Sequence, residues 1–266
     1  MAVLAMLQDA DVLPPEGTPE ANRVIQVVIQ FQSVFMKSGD PAVQAFLSHA
    51  LAAKAGSGVD EALLPGTRRY YVLKDDDTMR VRSVLLGNVG ETDCGRPEPL
   101  TDFGRYCIES FPADHYALVI WNHGAGWSGV SADENTHHTL EMGDVRGALE
   151  GMQAALKSQG KERVDVLDFD ACLMATLEVA YELRNTVDFL ASSQDTEPGD
   201  GMAYGEYLRW LNTYPEAPPA SLAKAMVESY VKAYAPGGVQ VEGDYWSGSE
   251  TKTARRAGRR SSHIRR

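Results

Sequence analysis

Short apolar runs alternate with helix-period patterns through the middle of the chain. Tyr116–Trp121 (YALVIW) and Val164–Phe169 (VDVLDF) are brief, apolar and rich in β-branched residues, the pattern of strands covered on both faces. Between them, residues 141–157 place Val145, Leu149, Met152 and Leu156 at helical spacing. Met174–Leu183 predicts a second helix and Val187–Ser192 a third strand. Tyr204–Leu211 and Pro218–Tyr234 predict further helices, the latter opened by Pro218 and Pro219. Strand, helix, strand, helix, strand in succession implies βαβ units, hence an α/β fold with a mostly parallel sheet.

The earlier part of the chain is less regular. Arg69–Leu73 and Val81–Val89 predict strands separated by the polar stretch KDDDTM, and Leu100–Phe111 predicts a helix. Residues 41–58 look like a helix stopped at Gly56. Val24–Gln32 reads two ways: its β-branched density favours a strand, whereas Thr18-Pro19-Glu20 before it resembles a helix start.

Composition narrows the function classes. The chain has 266 residues, 44% hydrophobic and 23% charged, which suits a globular protein with a sizeable core. No apolar run reaches about 18 residues, so no membrane-spanning helix is expected. The first residues lack a basic stretch and a clean cleavage site, and the compartment, cytoplasmic or exported, stays open. The net charge is −12, unevenly spread. The segment 252–266 holds seven Lys or Arg and no acid, which leaves 37 acidic residues against 18 basic ones in the rest. So acidic a body disfavours nucleic acid and suits a cationic partner. Residues 237–266 read as a disordered basic tail following a domain at 1–236. Three cysteines, Cys94, Cys107 and Cys172, are too few and too far apart for a disulfide framework or a zinc site.

Two reactive side chains stand just past strand ends, where sites form in parallel sheets. His123 lies in IWNHGAGWSG and Cys172 in FDACLMATLEVAYEL. Taken alone, each has an ordinary explanation: a hydrogen-bonded histidine at a strand end, and a buried structural thiol. A helix starting near Leu173 would put the Cys172 thiol at a helix N-terminus, where an anion is favoured. An imidazole at 123 could take the thiol proton and later protonate a leaving amine. The N–H of Gly124, with that of Cys172, could serve as oxyanion donors.

YALVIWNHGAGWSG and VDVLDFDACLMATLEVAYEL resemble the two signature blocks of clostripain-like cysteine peptidases. SSQDTEPGDGMAYGEYL resembles the Glu-Pro-Gly-x-Gly block that follows them, and LTDFGRYCIESFPADHYALVIW is similar to the family's approach to the histidine. The resemblance implies a caspase-like three-layer αβα sandwich, a His123–Cys172 dyad, and cleavage of proteins or peptides after Arg or sometimes Lys. By the same resemblance Asp170 matches an acidic position associated with the pocket for the basic side chain. A carboxylate there could pair a guanidinium bidentately. Asp195 and Asp200 are further pocket candidates, with a solvated loop carboxylate as the alternative for each. No cofactor is expected. Calcium is used by some members, and Asp133 and Glu134 are acidic, but two carboxylates do not supply the 6–8 oxygens calcium takes. His137 and His138 read as solvated.

Departures from the family pattern accompany the likeness. Residues 124–145 hold no Lys or Arg, so the self-cleavage after a basic residue that matures many members has no target there. The family's sheet begins with a strand before Val24, for which AVLAML is the candidate, and the sequence after Tyr234 does not resemble the family's continuation. A truncated or catalytically silent relative that binds basic peptides without turnover is the alternative function. A flavodoxin-like binding domain would need a glycine-rich phosphate loop after a first strand, and none is present.

Overall fold

Strand β7 (Val164–Asp170) lies at the middle of a three-stranded parallel sheet, between β4 (Ala117–Trp121) and β8 (Val187–Ala191). Val166 stands opposite Ala117 on one side and Phe189 on the other. A parallel pair needs a crossover, and helices supply it: α2 (Met142–Ser158) lies between β4 and β7, and α3 (Leu177–Leu183) between β7 and β8. The computed structural model describes residues 28–33, 66–72, 83–133, 135–199, 201–236 and 238. The strand expected before Val24, the helix expected within 41–58, Glu134, Asp200 and nearly all of the basic tail lie outside the described residues.

The period of two in β7 divides its side chains between the two faces. Leu167 and Phe169 join Val145, Leu149, Met152 and Leu156 of α2, Val179 and Leu183 of α3, and Ile108 of α1 (Pro97–Ser110). Val166 turns to the opposite face and packs with Tyr204, Tyr207 and Leu208 of α4 (Tyr204–Thr213) and with Ala223, Met226 and Tyr230 of α5 (Pro219–Ala233). These two apolar layers make the three-layer αβα sandwich. Burying a side chain such as Phe169 or Leu167 completely contributes about 1.5–3 kcal/mol each, so β7 is the best-anchored strand of the sheet.

A second sheet departs from the mostly parallel expectation. β1 (Val28–Ser33), β2 (Gly66–Tyr71) and β3 (Val84–Gly90) form an antiparallel three-stranded sheet with β2 in the middle. Val24–Gln32 was ambiguous in sequence, and its described portion is strand. Arg69 ties β2 to α1: its guanidinium lies 4.7 Å from the Tyr106 ring centre and 2.5 Å from Asp102 Oδ2. Tyr71 adds a ring contact to Phe111 at 5.7 Å.

Two further boundaries differ from the sequence pattern. Residues after β4 form a short antiparallel ribbon, β5 (Val130–Ala132) with β6 (Thr139–Leu140), where no element was expected. Strands of three and two residues carry too few side chains for alternation to register. The helix expected from Met174 begins at Leu177, because Thr176 caps it: its hydroxyl accepts from the Val179 N–H at 3.3 Å.

Candidate active site

Cys172 follows β7 by two residues, at the carboxyl end of the sheet. Its half-buried thiol is not at the helix N-terminus, contrary to expectation, since the cap of α3 lies four residues further on. The intervening turn is tight instead. Leu173 adopts φ +65°, a left-handed conformation unusual for leucine. The segment 173–175 is held by the loop after β8: Leu173 N–H donates to the Asp195 carbonyl at 3.1 Å and Ala175 N–H to that of Ser193 at 2.7 Å. The same loop reaches the sulfur. The main-chain N–H of Glu197 donates to Cys172 Sγ at 3.2 Å, and the Glu197 carbonyl lies 4.0 Å from it.

His123 stands two residues past β4, exposed. Asn122 N–H donates to the Asp170 carbonyl at 3.4 Å, extending the β4–β7 ladder, and Asn122 Oδ1 accepts from the His123 N–H at 2.5 Å. The His123 carbonyl accepts from Ser131 N–H at 3.1 Å, and Ala125 N–H donates to the Gly129 carbonyl at 2.9 Å. Gly124 and Val130 therefore form the pair between these bonds, so the Gly124 N–H points out of the ribbon. Among the described residues, neither it nor the Cys172 N–H donates to a backbone oxygen. Gly124 also presses on the Cys172 main chain: a Cβ there would sit 2.2 Å from the Cys172 carbonyl oxygen and 3.0 Å from the Cys172 nitrogen. Glycine is needed for that approach. The elements thus bring 123–124 against 171–172, while no hydrogen bond joins the His123 ring to Cys172 Sγ.

Below the thiol lies an acidic layer. β7 turns Asp168 and Asp170 toward α4 and α5, where Asp168 is 0% and Asp170 3% exposed. Tyr204 O–H donates to Asp170 Oδ2 at 2.7 Å. Gly201, at φ +66°, covers the same carboxylate, and a Cβ there would lie 2.6 Å from Oδ2. Burial pushes Asp170 up, and donors from Tyr204, Met202 and Glu197 offset part of that rise. Asp168 rises well above the usual carboxylate range, through burial and the neighbouring Asp170, and among the described residues neither of its oxygens has a hydrogen-bond partner. Burial, with Asp170, Asp168 and Cys172 nearby, pushes Glu197 up to about 11.

The other candidates are placed as follows. Asp195 is half-buried, with Oδ1 accepting from the Thr196 N–H at 2.9 Å, and it lends the site its carbonyl. Asp133 does not fit a calcium site: Oδ1 accepts from Asn135 N–H, Thr136 N–H and the Thr136 hydroxyl, and Oδ2 from Cys94 N–H. His138, expected to be solvated, pairs through Nδ1 with Asp93. Burial raises the Cys94 thiol to about 11 and the Cys107 thiol to about 12, which leaves both poorly nucleophilic. Glu197, Asp168 and Tyr204 were not singled out from sequence. The available signal for Glu197 was the Pro198-Gly199 pair after it, which forces a turn, closed by the Gly201 N–H on the Pro198 carbonyl at 3.0 Å.

The model of the Clostripain family, peptidase C11, matches residues 58–249. Clostripain of Hathewaya histolytica is 34% identical over 134 residues, an overlap that takes in 43% of this chain and 24% of that protein. A secreted C11 cysteine protease from Bacteroides thetaiotaomicron, solved in complex with an irreversible peptide inhibitor, superposes with a TM-score of 0.51 at 23% identity. That superposition covers 74% of this chain and 56% of the other. The chain spans about a quarter of the length of the first relative and a little over half that of the second.

Proposed function

The chain belongs to the clostripain family of cysteine peptidases, and from that premise we propose that it is an endopeptidase cleaving peptide bonds after Arg or Lys, with Cys172 as nucleophile and His123 as general base. The observation that carries the reading is the contact of Gly124 on the Cys172 main chain, which keeps the histidine turn and the thiol turn at one spot. His123 takes the Cys172 proton, and the thiolate attacks the scissile carbonyl carbon. The oxyanion is held by the N–H groups of Gly124 and Cys172, which donate to no backbone oxygen in the free protein. The imidazolium then protonates the leaving amine, and water hydrolyses the thioester by the reverse sequence.

Asp170 is the residue for the basic side chain, two positions before the nucleophile and buried at the end of β7. Among the described residues no Lys or Arg pairs with it or with Asp168. A buried carboxylate without a cation favours one that arrives with a ligand. Asp195 and Asp200 are secondary candidates for the same pocket. The test is turnover of Arg, Lys and Asp reporter amides by the wild type and Cys172→Ala. Hydrolysis confined to basic amides and absent in the variant is expected, and undiminished hydrolysis by Cys172→Ala sinks the assignment.

One observation favours a second reading, a relative that binds basic peptides without turnover: the exposed His123 ring makes no hydrogen bond to Cys172 Sγ. Micromolar binding of an Arg peptide with no turnover of any amide would decide for it.

A further inference from the structure

Among the described residues, the one hydrogen-bond donor on the Cys172 sulfur belongs to a residue whose side chain enters the buried acidic layer. Glu197 presents its main-chain N–H to Sγ at 3.2 Å. Its carboxyl is hydrogen-bonded to Asp170, and its Oε2 has no hydrogen-bond partner among the described residues. Everything between those two points is one residue of chain, so the place of the N–H on the sulfur is set by the place of the carboxyl. The rest of the loop reinforces that geometry. Leu173 and Ala175 N–H groups hold Asp195 and Ser193, and the Pro198–Gly201 turn brings Gly201 onto Asp170.

We propose that Glu197 is a positioning residue for the nucleophile: its side chain, paired with Asp170 beneath the sheet, fixes the loop so that its main-chain N–H holds the Cys172 sulfur. This rests on the reading of Cys172 as the nucleophile. An N–H aimed at a sulfur stabilises the thiolate over the thiol, because hydrogen bonding to the charged form favours that form. The groups facing the Glu197 carboxyl explain why it acts as an acid and not as an anion. Asp168 and Asp170 face it from β7 and Tyr230 from α5, with Cys172 above; Tyr204 of α4 bonds the same Asp170. Among the described residues no cation faces it, so one proton stays between Glu197 and Asp170, with Glu197 as the donor. An ionised Glu197 would put a second negative charge beside the thiolate and oppose its formation. The neutral acid anchors the loop without that penalty. A glutamine, which keeps an N–H donor and the same length, can do the same.

The experiment alkylates the full chain with iodoacetamide across pH 5–10. The rate at Cys172 is read by mass spectrometry in the wild type, Glu197→Gln and Glu197→Ala, beside kcat and KM on an Arg amide and the unfolding midpoint of each. Glu197→Ala is expected to move the rate-against-pH curve up by about one unit and slow alkylation near pH 7 about tenfold. Its kcat falls while KM changes little, and Glu197→Gln stays within about threefold of wild type in alkylation rate, kcat and KM. A Glu197→Ala curve superposed on the wild type overturns the proposal. So does a Glu197→Gln curve displaced as far as that of Glu197→Ala, since the charge would then matter and not the anchoring bond. Should Glu197→Ala not fold, Glu197→Gln decides alone, a displacement of a full pH unit being the refuting result. Iodoacetamide is small and neutral, so failure of the peptidase reading shows separately, as wild-type protein that alkylates at Cys172 but hydrolyses no amide.

Discussion

Gly124→Ala puts one methyl group into the contact that joins the two halves of the site. The new Cβ would stand 2.2 Å from the Cys172 carbonyl oxygen, 3.0 Å from the Ala171 Cβ and 3.0 Å from the Cys172 nitrogen. Two of those neighbours are main-chain atoms at the end of the best-packed strand, so they cannot swing aside as a flexible side chain would. The histidine turn must retreat by about 1 Å, a misplacement that typically costs about 10²-fold in rate. The retreat also carries the Gly124 N–H away from the oxyanion, and loss of one such donor costs about 10²–10³ in kcat. A fall in kcat of about 10²–10³ is therefore expected, with about 1–3 kcal/mol lost from stability to overpacking. Alkylation of Cys172 by iodoacetamide uses no oxyanion hole and should stay within about tenfold of wild type, as a thiol whose anion is still held by Glu197 requires. Gly147→Ala is the control, because a Cβ at that α2 position meets nothing within 4 Å; it should leave kcat unchanged and add about 0.5–1 kcal/mol of stability. Steady-state kinetics on an Arg amide, chemical denaturation and site-resolved alkylation read all three effects. A Gly124→Ala enzyme with kcat within threefold of wild type would refute the placement of the oxyanion donors. Equal losses in kcat and alkylation would mean that the substitution disturbs the thiol itself.

Four further outcomes are expected. Cys172→Ala abolishes amide hydrolysis and His123→Ala lowers it by orders of magnitude, read by initial rates; activity retained in either variant removes that residue from the dyad. Iodoacetamide at pH 7 labels Cys172 well ahead of Cys94 and Cys107, whose thiols burial holds at about 11 and about 12, so peptide mapping that finds either of those first contradicts the site. Asp170→Asn lowers turnover of Arg amides by about 10²–10³ beyond its effect on uncharged analogues, as breaking a buried ion pair costs about 3–5 kcal/mol; equal losses would make Asp170 purely structural. Glu197 keeps its proton in the folded state up to about pH 11, whereas the unfolded chain gives it up in the usual carboxylate range. Stability therefore falls with rising pH, by about 1.4 kcal/mol per unit for this group. Glu197→Gln should gain about 3 kcal/mol on wild type between pH 6 and pH 8 by denaturant titration, and parallel curves would refute the assignment.

How far the site was legible in the sequence differed by residue, for physical reasons. The strand ends that carry His123 and Cys172 were readable because β4 spells a short apolar run and β7 a largely buried one rich in Val, Leu and Phe. The helix after Cys172 was misjudged by three residues. Its apolar residues continue the helical period back to Met174, but the Thr176 hydroxyl takes the Val179 N–H and starts the helix there. The β5–β6 ribbon was invisible because its strands hold only three and two residues. Asp170 was a candidate through the family resemblance, whereas Asp168, two residues earlier on the same face, was passed over. An Asp within a strand reads as its solvated face, and only the packing of α4 and α5 makes that face an interior one. Glu197 was missed for the opposite reason: it sits in a polar loop, where the Pro198-Gly199 pair marks a turn but nothing marks the burial of one side chain.

The acidic layer and the thiol belong to one device because β7 alternates. Residues 167 and 169 fill the core beneath α2 and α3, and the same pleat sends 168 and 170 to the other face, directly before the turn that exposes Cys172. Burying a neutral polar group without a partner costs about 2–7 kcal/mol, and burying an ionised carboxylate far more unless a proton or a cation neutralises it. Asp168 has no partner on either oxygen, and Glu197 Oε2 and the Tyr230 hydroxyl also lack one, so the free protein lowers that cost by holding protons. A guanidinium entering the layer would offer donors to those orphaned oxygens and displace a proton, so its binding should release protons to solvent. An uncharged side chain in the same place would leave the carboxyl groups as they are. On the proposed specificity, discrimination between basic and neutral ligands would come less from new contacts than from relief of a cost the fold already carries. It should sharpen as pH rises, because each proton held in the empty layer becomes harder to keep.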